Sequence, residues 1–493
     1  MIGERDGPFA LPVVLDVAAR HVPKARYVFD TLMMAAGAQV RFCEEPPAEG
    51  PWLLYAAACR EGWPLERALV LPYHDAAWAH FDGAADVGCA ARVNDVDVVL
   101  PGVPSHFAGT ADVGFDLPAN AFYFLSSWAE RRASSAHAGR QLHRASIFAR
   151  LEVAQDIVDR YLRLLLQRLS ALCARLGRSS VPLGLRWPKG ASHAVVLSHD
   201  VDFLPAGARD VLTQGARTVL RHLVRHRDAS DAFRAGLGLA RSIYRRRDPY
   251  GCVPAILAEE RRREVRSSFQ VAVARRHPAD VNYSIQDDAV RDYLRVIVDA
   301  GFDLCLHGSY RSTETSGWYE SEVELLTRRL ERPLGNRQHY LSFDYDALFR
   351  AQERAGIRYD MSMGFPDRPG PRNGFSFPYF PYCLDEDRPY DVVEIGLSLM
   401  DVTLRGYLDL KGERAWSTID SVLGALAACG GCSSVVWHPI VFGGARDPGY
   451  DRLYWRLVDR VVASGGIATD GRTIDSYWRA RARGHASFAG VSP

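Results

Sequence analysis

The sequence predicts an α/β protein: a (β/α) barrel preceded by a smaller α/β domain. Three observations carry this expectation. From about residue 190 onward, short apolar runs alternate with amphipathic helical stretches at the interval of successive βα units. Titratable side chains fall repeatedly at the C-terminal ends of those runs, where barrel enzymes assemble their sites. The chain, at 493 residues, is also too long for one ordinary domain.

Composition narrows the class. A hydrophobic share of 47% with 24% charged residues suits a well-cored enzyme-sized protein. The formal net charge of +1 gives no global attraction to nucleic acid or to an acidic surface. Nine cysteines, an odd and scattered set, do not read as a disulfide framework. The N-terminal stretch carries acids early and lacks an apolar core followed by a small-residue cleavage site. No run approaches the roughly 18 uninterrupted apolar residues of a membrane span. A cytoplasmic, reduced protein is the expectation.

Residues 1–145 read as the accessory α/β domain. Pro12–Asp16, Trp52–Ala57, Ala68–Pro72 and Val96–Leu100 are strand-like, and Ala25–Ala36 suits a helix closed by Gly37. Asn120–Glu130 reads as an aromatic-rich helix. His74, His80 and His106 stand isolated, so no catalytic constellation is visible here. Residues 146–189 form a linking helix and linker, with Val158, Tyr161, Leu165, Leu169, Leu172 and Leu176 at helical spacing.

The barrel domain is expected over 190–485. Its first strand, within His193–Asp202, is an apolar run that ends in two acids; alternation puts Asp200 and Asp202 on one face and His199 and Val201 on the other. Two adjacent carboxylates repel, so one is partly neutralised unless a cation sits nearby. An insertion follows at about 206–266, with fourteen arginines, no lysine and seven acids. Two readings stay open: a solvated helical hairpin, or a basic surface that meets anionic substrate, phosphate or lipid headgroups through the guanidinium fork. Interleaved aromatics for base stacking are missing, so nucleic acid is not an expected partner. Further strands are expected at Ser267–Val273, Phe302–Gly308, Arg337–Ser342, Ile357–Ser362, Val392–Leu397, Ser433–Pro439 and Ala463–Asp470, with helices between them.

Taken in order, Ser198-His-Asp-Val-Asp202, Leu306-His-Gly-Ser-Tyr-Arg-Ser312, Arg337-Gln-His-Tyr340 and Val435-Val-Trp-His438 resemble the motifs of the polysaccharide deacetylase superfamily, the NodB-homology or carbohydrate esterase family 4 group. The stretches 355–365 and 372–378 resemble a bacterial subgroup with an extra N-terminal domain that accompanies cell-surface polysaccharide biosynthesis. The resemblance implies a distorted (β/α) barrel of the deacetylase type and a metal-dependent hydrolase that removes an N-acetyl group from an amino sugar, with a lipid- or nucleotide-linked one as an alternative. By the same resemblance, Asp200 is the general base, Arg337 the residue that orients it, and His438 the general acid. Asp202 and His307 match metal ligands for a divalent ion, zinc first, with nickel or cobalt as alternatives. The chain departs from the family at one point: the position four after His307, where a second His belongs, is Arg311. His339 is the replacement candidate as ligand, or else a stacked or hydrogen-bonded structural histidine.

Tyr310, Arg311, Tyr340, Asp360 and Trp437 complete the expected site as substrate-binding residues, Asp360 as a capping or hydrogen-bonding group. The aromatics, Tyr359 among them, read equally as rim packing. Cys429-Gly-Gly-Cys432 is a lone pair without a partner pair, and Glu394 is a buried carboxylate with a structural role favoured. Two other functions compete with the amidohydrolase: an inactive carbohydrate-binding or assembly module, and ester or glycosidic cleavage at the same site.

Overall fold

The computed structural model describes residues 10–83, 87, 90–100, 111–134, 144, 146–178, 184–204, 208–224, 229–244, 252–273, 275–443 and 446–488. The chain divides into two compact units. One comprises residues 1–186, 373–391 and 478–493; the other comprises 187–372 and 392–477.

The first unit holds a four-stranded parallel sheet. Strands β1 (Ala10–Asp16), β2 (Gln39–Cys43), β3 (Trp52–Ala56) and β4 (Ala68–Pro72) pair in the order β2-β1-β3-β4. Every residue of β3 and β4 is buried, the pattern of parallel strands covered on both faces. Helix α1 (Val22–Ala36) ends where Gly37 turns to φ +82°, as its sequence suggests. The aromatic helix is shorter than expected: α2 (Leu117–Leu125) stops as Ser127 adopts φ +51°, and a new helix begins at Trp128. Val96–Val98 pairs with Ala91–Val93 as a separate antiparallel ribbon. His106 lies outside the described residues.

The expected linking helix is instead a core element of this unit. Helix α3 (Ile157–Arg175) buries Val158, Tyr161, Leu165, Leu169 and Leu172. The backbone N–H of Val158 donates to Gly374 O at 2.9 Å, and Asp159 Oδ1 accepts from Ser376 N at 3.0 Å. Segment 373–391 thus completes the unit's core, as does the C-terminal segment through Asp30, which accepts from Ser487 N (2.8 Å) and faces His485 Nδ1 (3.0 Å). An apolar periodic stripe tells that a helix is buried, not by which segment.

The second unit is an open, distorted (β/α) barrel, as expected. Its strands are β5 (Ala194–Val201), β6 (Ser268–Val271), β7 (Asp303–Gly308), β8 (Gly335–Gln338), β9 (Tyr359–Asp360), β10 (Val393–Glu394), β11 (Leu397–Met400), β12 (Cys432–Val436) and β13 (Ile467–Thr469). All pairings in this sheet are parallel, in the order β10-β9-β8-β7-β6-β5-β12-β11. β13 joins the N-terminal half of β5, while β6 takes the C-terminal half of the same strand. A parallel bridge from Gly364 to Leu397 links the chain just beyond β9 to β11, so the sheet curls back on itself.

The two faces differ in chemistry. Outside, Val195 and Leu197 of β5, Leu399 of β11 and Val435 of β12 pack in one apolar cluster. Helices α4 (Gly412–Cys429) and α5 (Tyr450–Ala463) cover it with Ile419, Leu423, Leu453, Leu457 and Val461. Inside, Ser198, Gln270, Arg337 and Ser434 are all buried. After β5, helices span Ala208–Val224 and Ala229–Tyr244, followed by Val253–Arg262, so the Arg-rich insertion is helical where described. The run Arg245–Arg247 lies outside the described residues. Among the described residues, no helix is long and apolar enough to cross a membrane.

Close packing leaves no room at one barrel position. A Cβ added at Gly335 of β8 would run into the ring of Tyr359, which is itself buried against Asp303. Gly335→Ala is expected to destabilise the protein by roughly 1–3 kcal/mol through overpacking. Gly424→Ala in α4, where a Cβ meets open space, should stabilise it by about 0.5–1 kcal/mol. Urea midpoints of the two variants check this pair. In the first unit, burial pushes the Asp159 carboxyl up to about 7, above its value in an unfolded chain. The fold therefore favours the protonated form, and that stability, full below about pH 4, is lost as pH rises through 7. The melting temperature of Asp159→Asn should fall less between pH 5 and pH 8 than that of the wild type.

Candidate active site

Register places the site residues before any side-chain contact is considered. In the parallel ladder Asp200 of β5 is level with Gln270, and Gln270 with Cys305 of β7; Arg337 of β8 is level with His307. The acids, His307 and Arg337 thus share one inner face at one end of the barrel.

Arg337 is 1% exposed and threads the barrel interior. Its Nη1 donates to Asp200 Oδ1 at 2.7 Å and to Ser198 Oγ at 2.8 Å, and its Nε donates to Met361 O at 2.9 Å. Burial alone raises the pKa of Asp200; the Arg337 guanidinium, followed by His307 and His438, outweighs it and holds the carboxyl below its usual range. The base candidate is therefore ionised and fixed in orientation.

Asp202, His307 and His339 form a group able to hold a metal ion, with one ligand atom from each lying within 4.8 Å of the others. Asp202 Oδ1 stands 3.1 Å from His307 Nε2 and 3.8 Å from His339 Nε2. His307 Nδ1 donates to Arg337 O at 2.8 Å, which turns its Nε2 to the carboxylate. His339 Nδ1 lies 3.6 Å from Asp280 Oδ1, opposite an acceptor but outside hydrogen-bond distance. Two imidazole nitrogens against one carboxylate oxygen need a proton or a cation between them. Burial lowers the His307 pKa, but Asp200 and Asp202 outweigh it and hold the imidazole above its ordinary value. Asp202 Oδ1 is buried and accepts no hydrogen bond among the described residues, so the donor set fits a divalent ion.

The arginine-bearing strand ends sooner than the pattern suggests. It stops at Gln338, and a tight turn at His339–Leu341 follows, with Tyr340 at φ +59° and Leu341 at φ +52°. This non-glycine left-handed turn is costly in backbone energy. It carries His339 to the site and leaves the Tyr340 ring 4.5 Å from the imidazole and 63% exposed.

His438 follows β12 and reaches the same acids from another side, its Nε2 3.4 Å from Asp202 Oδ2. Asp401, the residue after β11, faces His438 Nδ1 at 2.7 Å and accepts from its backbone N–H at 3.0 Å. Burial lowers the imidazole pKa, but Asp401 and Asp202 override it and hold His438 well above its ordinary value.

Other expected residues divide. Tyr310 packs beside His277 and edge-on to Tyr340, and its N–H donates to Asp280 at 2.8 Å. Arg311 turns to Glu314 at 3.6 Å. Two expectations fail. Trp437 lies on the outer face, fully buried against Tyr450 and Tyr454, with Nε1 donating to Tyr450 O at 2.9 Å. Alternation along the chain after β12 sends Trp437 outward as it sends His438 inward. Asp360 is fully buried and accepts from Asn336 Nδ2, Gln352 Nε2 and Ser362 N at 2.6–2.8 Å, a structural hub rather than a cleft residue. Tyr359 is likewise interior. Glu394 is buried, held well above its usual pKa by burial and by Asp360 beside it, and accepts from Met363 N at 3.0 Å. Cys432 is a buried free thiol, and Cys429 Sγ donates to Leu426 O at 3.3 Å. His199, on the outer face of β5, meets Trp437 O (2.6 Å) and Glu260 (3.0 Å) in a buried structural cluster.

Sequence reasoning missed Asp401 and Asp280. Asp401 had a signal, an apolar Leu397–Met400 run ending in an acid as the first strand does. Asp280 sits in a turn-rich loop without periodicity, and nothing in its spacing points to His339.

Removing one member of the buried Arg337–Asp200 pair leaves an uncompensated interior charge, so Arg337→Met should cost about 3–5 kcal/mol. Adding Asp200→Asn to that variant should recover part of the loss, as chemical denaturation of both would read.

No family model matches the chain, and no curated protein does. Solved structures do. A candidate polysaccharide deacetylase from Mycobacterium smegmatis is 18% identical, with 63% of this chain and 95% of that one covered, at a TM-score of 0.40. The Puue allantoinase is 15% identical over 60% of this chain and 92% of that one, at 0.38. A candidate glycoside hydrolase/deacetylase from Parabacteroides distasonis is 11% identical over 59% and 72%, at 0.34. The chain is similar to these three proteins at a level that leaves its chemistry to be read from its own residues.

Proposed function

We propose that this protein is a metal-dependent amidohydrolase that removes an N-acetyl group from an amino sugar of a cell-surface polysaccharide or its precursor. One observation carries the reading: two imidazole Nε2 atoms and Asp202 converge beside a buried, arginine-held carboxylate, with an aspartate-held histidine approaching from another strand.

Asp202, His307 and His339 would hold the ion. When bound, a divalent cation, zinc or else nickel or cobalt, supplies Lewis acidity and lowers the pKa of water toward neutrality. Asp200, kept ionised by Arg337, accepts the proton of the attacking water as its oxygen adds to the acyl carbonyl carbon. Arg337 keeps that carboxylate aimed and prevents its rotation. His438, held by Asp401, donates a proton to the departing nitrogen as the C–N bond breaks. The products are a carboxylate, acetate for an acetyl group, and a free amine. Tyr310 and Tyr340, on the rim beside His339, offer apolar faces against which a sugar ring can stack.

Elemental analysis of protein purified without chelators, beside Asp202→Ala and His307→Ala, tests this. One divalent ion per chain, lost in both variants together with acetate release from N-acetylated amino sugars, is the expected result. Absence of any ion after incubation with zinc, nickel or cobalt would remove the hydrolytic reading and leave a carbohydrate-binding one.

A further inference from the structure

The insertion after β5 folds as two consecutive helices, Ala208–Val224 and Ala229–Tyr244. A Cβ added at Gly215 would strike Leu239, and one at Gly236 would touch Val219. Numbers rise on one helix as they fall on the other, so the pair is antiparallel. Its side toward the barrel is held by ion pairs. Arg221 Nη2 lies 3.2 Å from Asp447 Oδ1, and Asp231 Oδ2 lies 2.8 Å from Lys411 Nζ and 3.6 Å from Arg405 Nη2.

The opposite side is apolar and exposed. Leu212, Leu220 and Leu223 share one stripe of the first helix, and Phe233 and Leu237 share one stripe of the second. Each stripe lies about 90° round its helix from the contact with the other helix, in the same rotational sense. In an antiparallel pair that sets both stripes on one face of the hairpin. Eleven large hydrophobics are exposed among the described residues; this hairpin carries six of them, Leu220 at 60% and Phe233 at 72%. A patch so concentrated marks an interaction surface.

Charge selects the occupant. Residues 208–250 hold ten arginines, no lysine and four aspartates. Contact with the barrel does not offset that excess, because the barrel brings Lys411 and Arg405 to the hairpin along with Asp447. Arg217 is exposed and meets no acid among the described residues; Arg234, also exposed, has Asp231 at 3.8 Å, an acid that Lys411 holds more closely. Each stands at the edge of a stripe, on the side away from the other helix. A second copy of the chain, seated by twofold symmetry, would set this positive charge against itself. An anionic bilayer instead receives the leucines and Phe233 at its acyl boundary and the guanidiniums at its phosphates.

We infer that the hairpin is a peripheral membrane anchor, laid flat on a lipid surface rich in anionic headgroups. Neither helix is long and apolar enough to cross the bilayer, as a helix lying in the interface need not be. Arg221, across its helix from the stripe, walls the cavity that also holds Asp202 and His438, so docking brings the site within about one or two helix diameters, roughly 10–20 Å, of the headgroups. The inference stands apart from the hydrolase reading, since it needs neither metal nor substrate.

The test is co-sedimentation of the full chain with vesicles of phosphatidylcholine alone and of phosphatidylcholine mixed with phosphatidylglycerol, at low and at raised salt. Binding to the anionic vesicles is expected to be at least about tenfold tighter than to the neutral ones, and to weaken as salt rises. Arg217→Gln combined with Arg234→Gln should lose about tenfold on anionic vesicles. Leu220→Ser combined with Phe233→Ser should lose at least as much. All four side chains are exposed, so far-UV circular dichroism, melting temperature and metal uptake should match the wild type, which keeps this test separate from that of the hydrolase. Equal binding to both vesicle types, binding to neither, or anionic binding that both double variants leave intact overturns the anchor. A chain that ignores vesicles but forms a dimer broken by Leu220→Ser with Phe233→Ser, as sedimentation velocity would read, overturns it too and gives the face to a second copy.

Discussion

The buried pairing of Arg337 with Asp200 is the constraint on which the barrel depends. A guanidinium in a protein interior is tolerated only when its charge is matched and its donors are used. Here one side chain from β8 bonds Asp200 and Ser198 of β5 and Met361 beyond β9, and reaches toward Ser434 of β12 at 3.5 Å. Strands far apart in the chain are tied through one cation. The same contact holds the carboxylate ionised and aimed, so stability and chemistry draw on the same bond.

That arrangement explains why the barrel interior is polar while its outside is not. Alternation along β5 sends Ser198 and Asp200 inward and Leu197 and His199 outward. The inward row, level with Gln270, Cys305 and His307 on neighbouring strands, builds the site. The outward row meets the helical layer, where His199 is absorbed by Glu260, Ser267 and Tyr454. His199 and the two acids of Ser198–Asp202 therefore have unrelated fates, decided by parity along a strand.

Much of this was legible in the chain. Strand positions, the capping glycine at Gly37 and the acids at the end of β5 follow from local pattern. His307, Arg337 and His438 reach one site because parallel strands deliver their C-terminal ends to one rim. Two assignments went wrong where a side chain's direction mattered more than its neighbourhood in sequence. Trp437 is one residue from His438 and faces the opposite way, and Asp360, one residue from the inward Tyr359, closes a hydrogen-bond hub with Asn336 and Gln352 on the outer face.

By itself, the sequence determined the (β/α) architecture, the inward parity of Asp200 and the supply of titratable groups at strand ends, because these depend on periods of two and 3.6 residues. Only the tertiary structure decided which groups meet. It brought Asp280 behind His339 and Asp401 behind His438, and it set Arg221 from a distant insertion beside Arg405 and Arg446. It also assigned the helix at 157–175 to the core of the first unit, through bonds to a segment more than two hundred residues away. These pairings join residues with no periodic relation, so no local pattern in the chain encodes them.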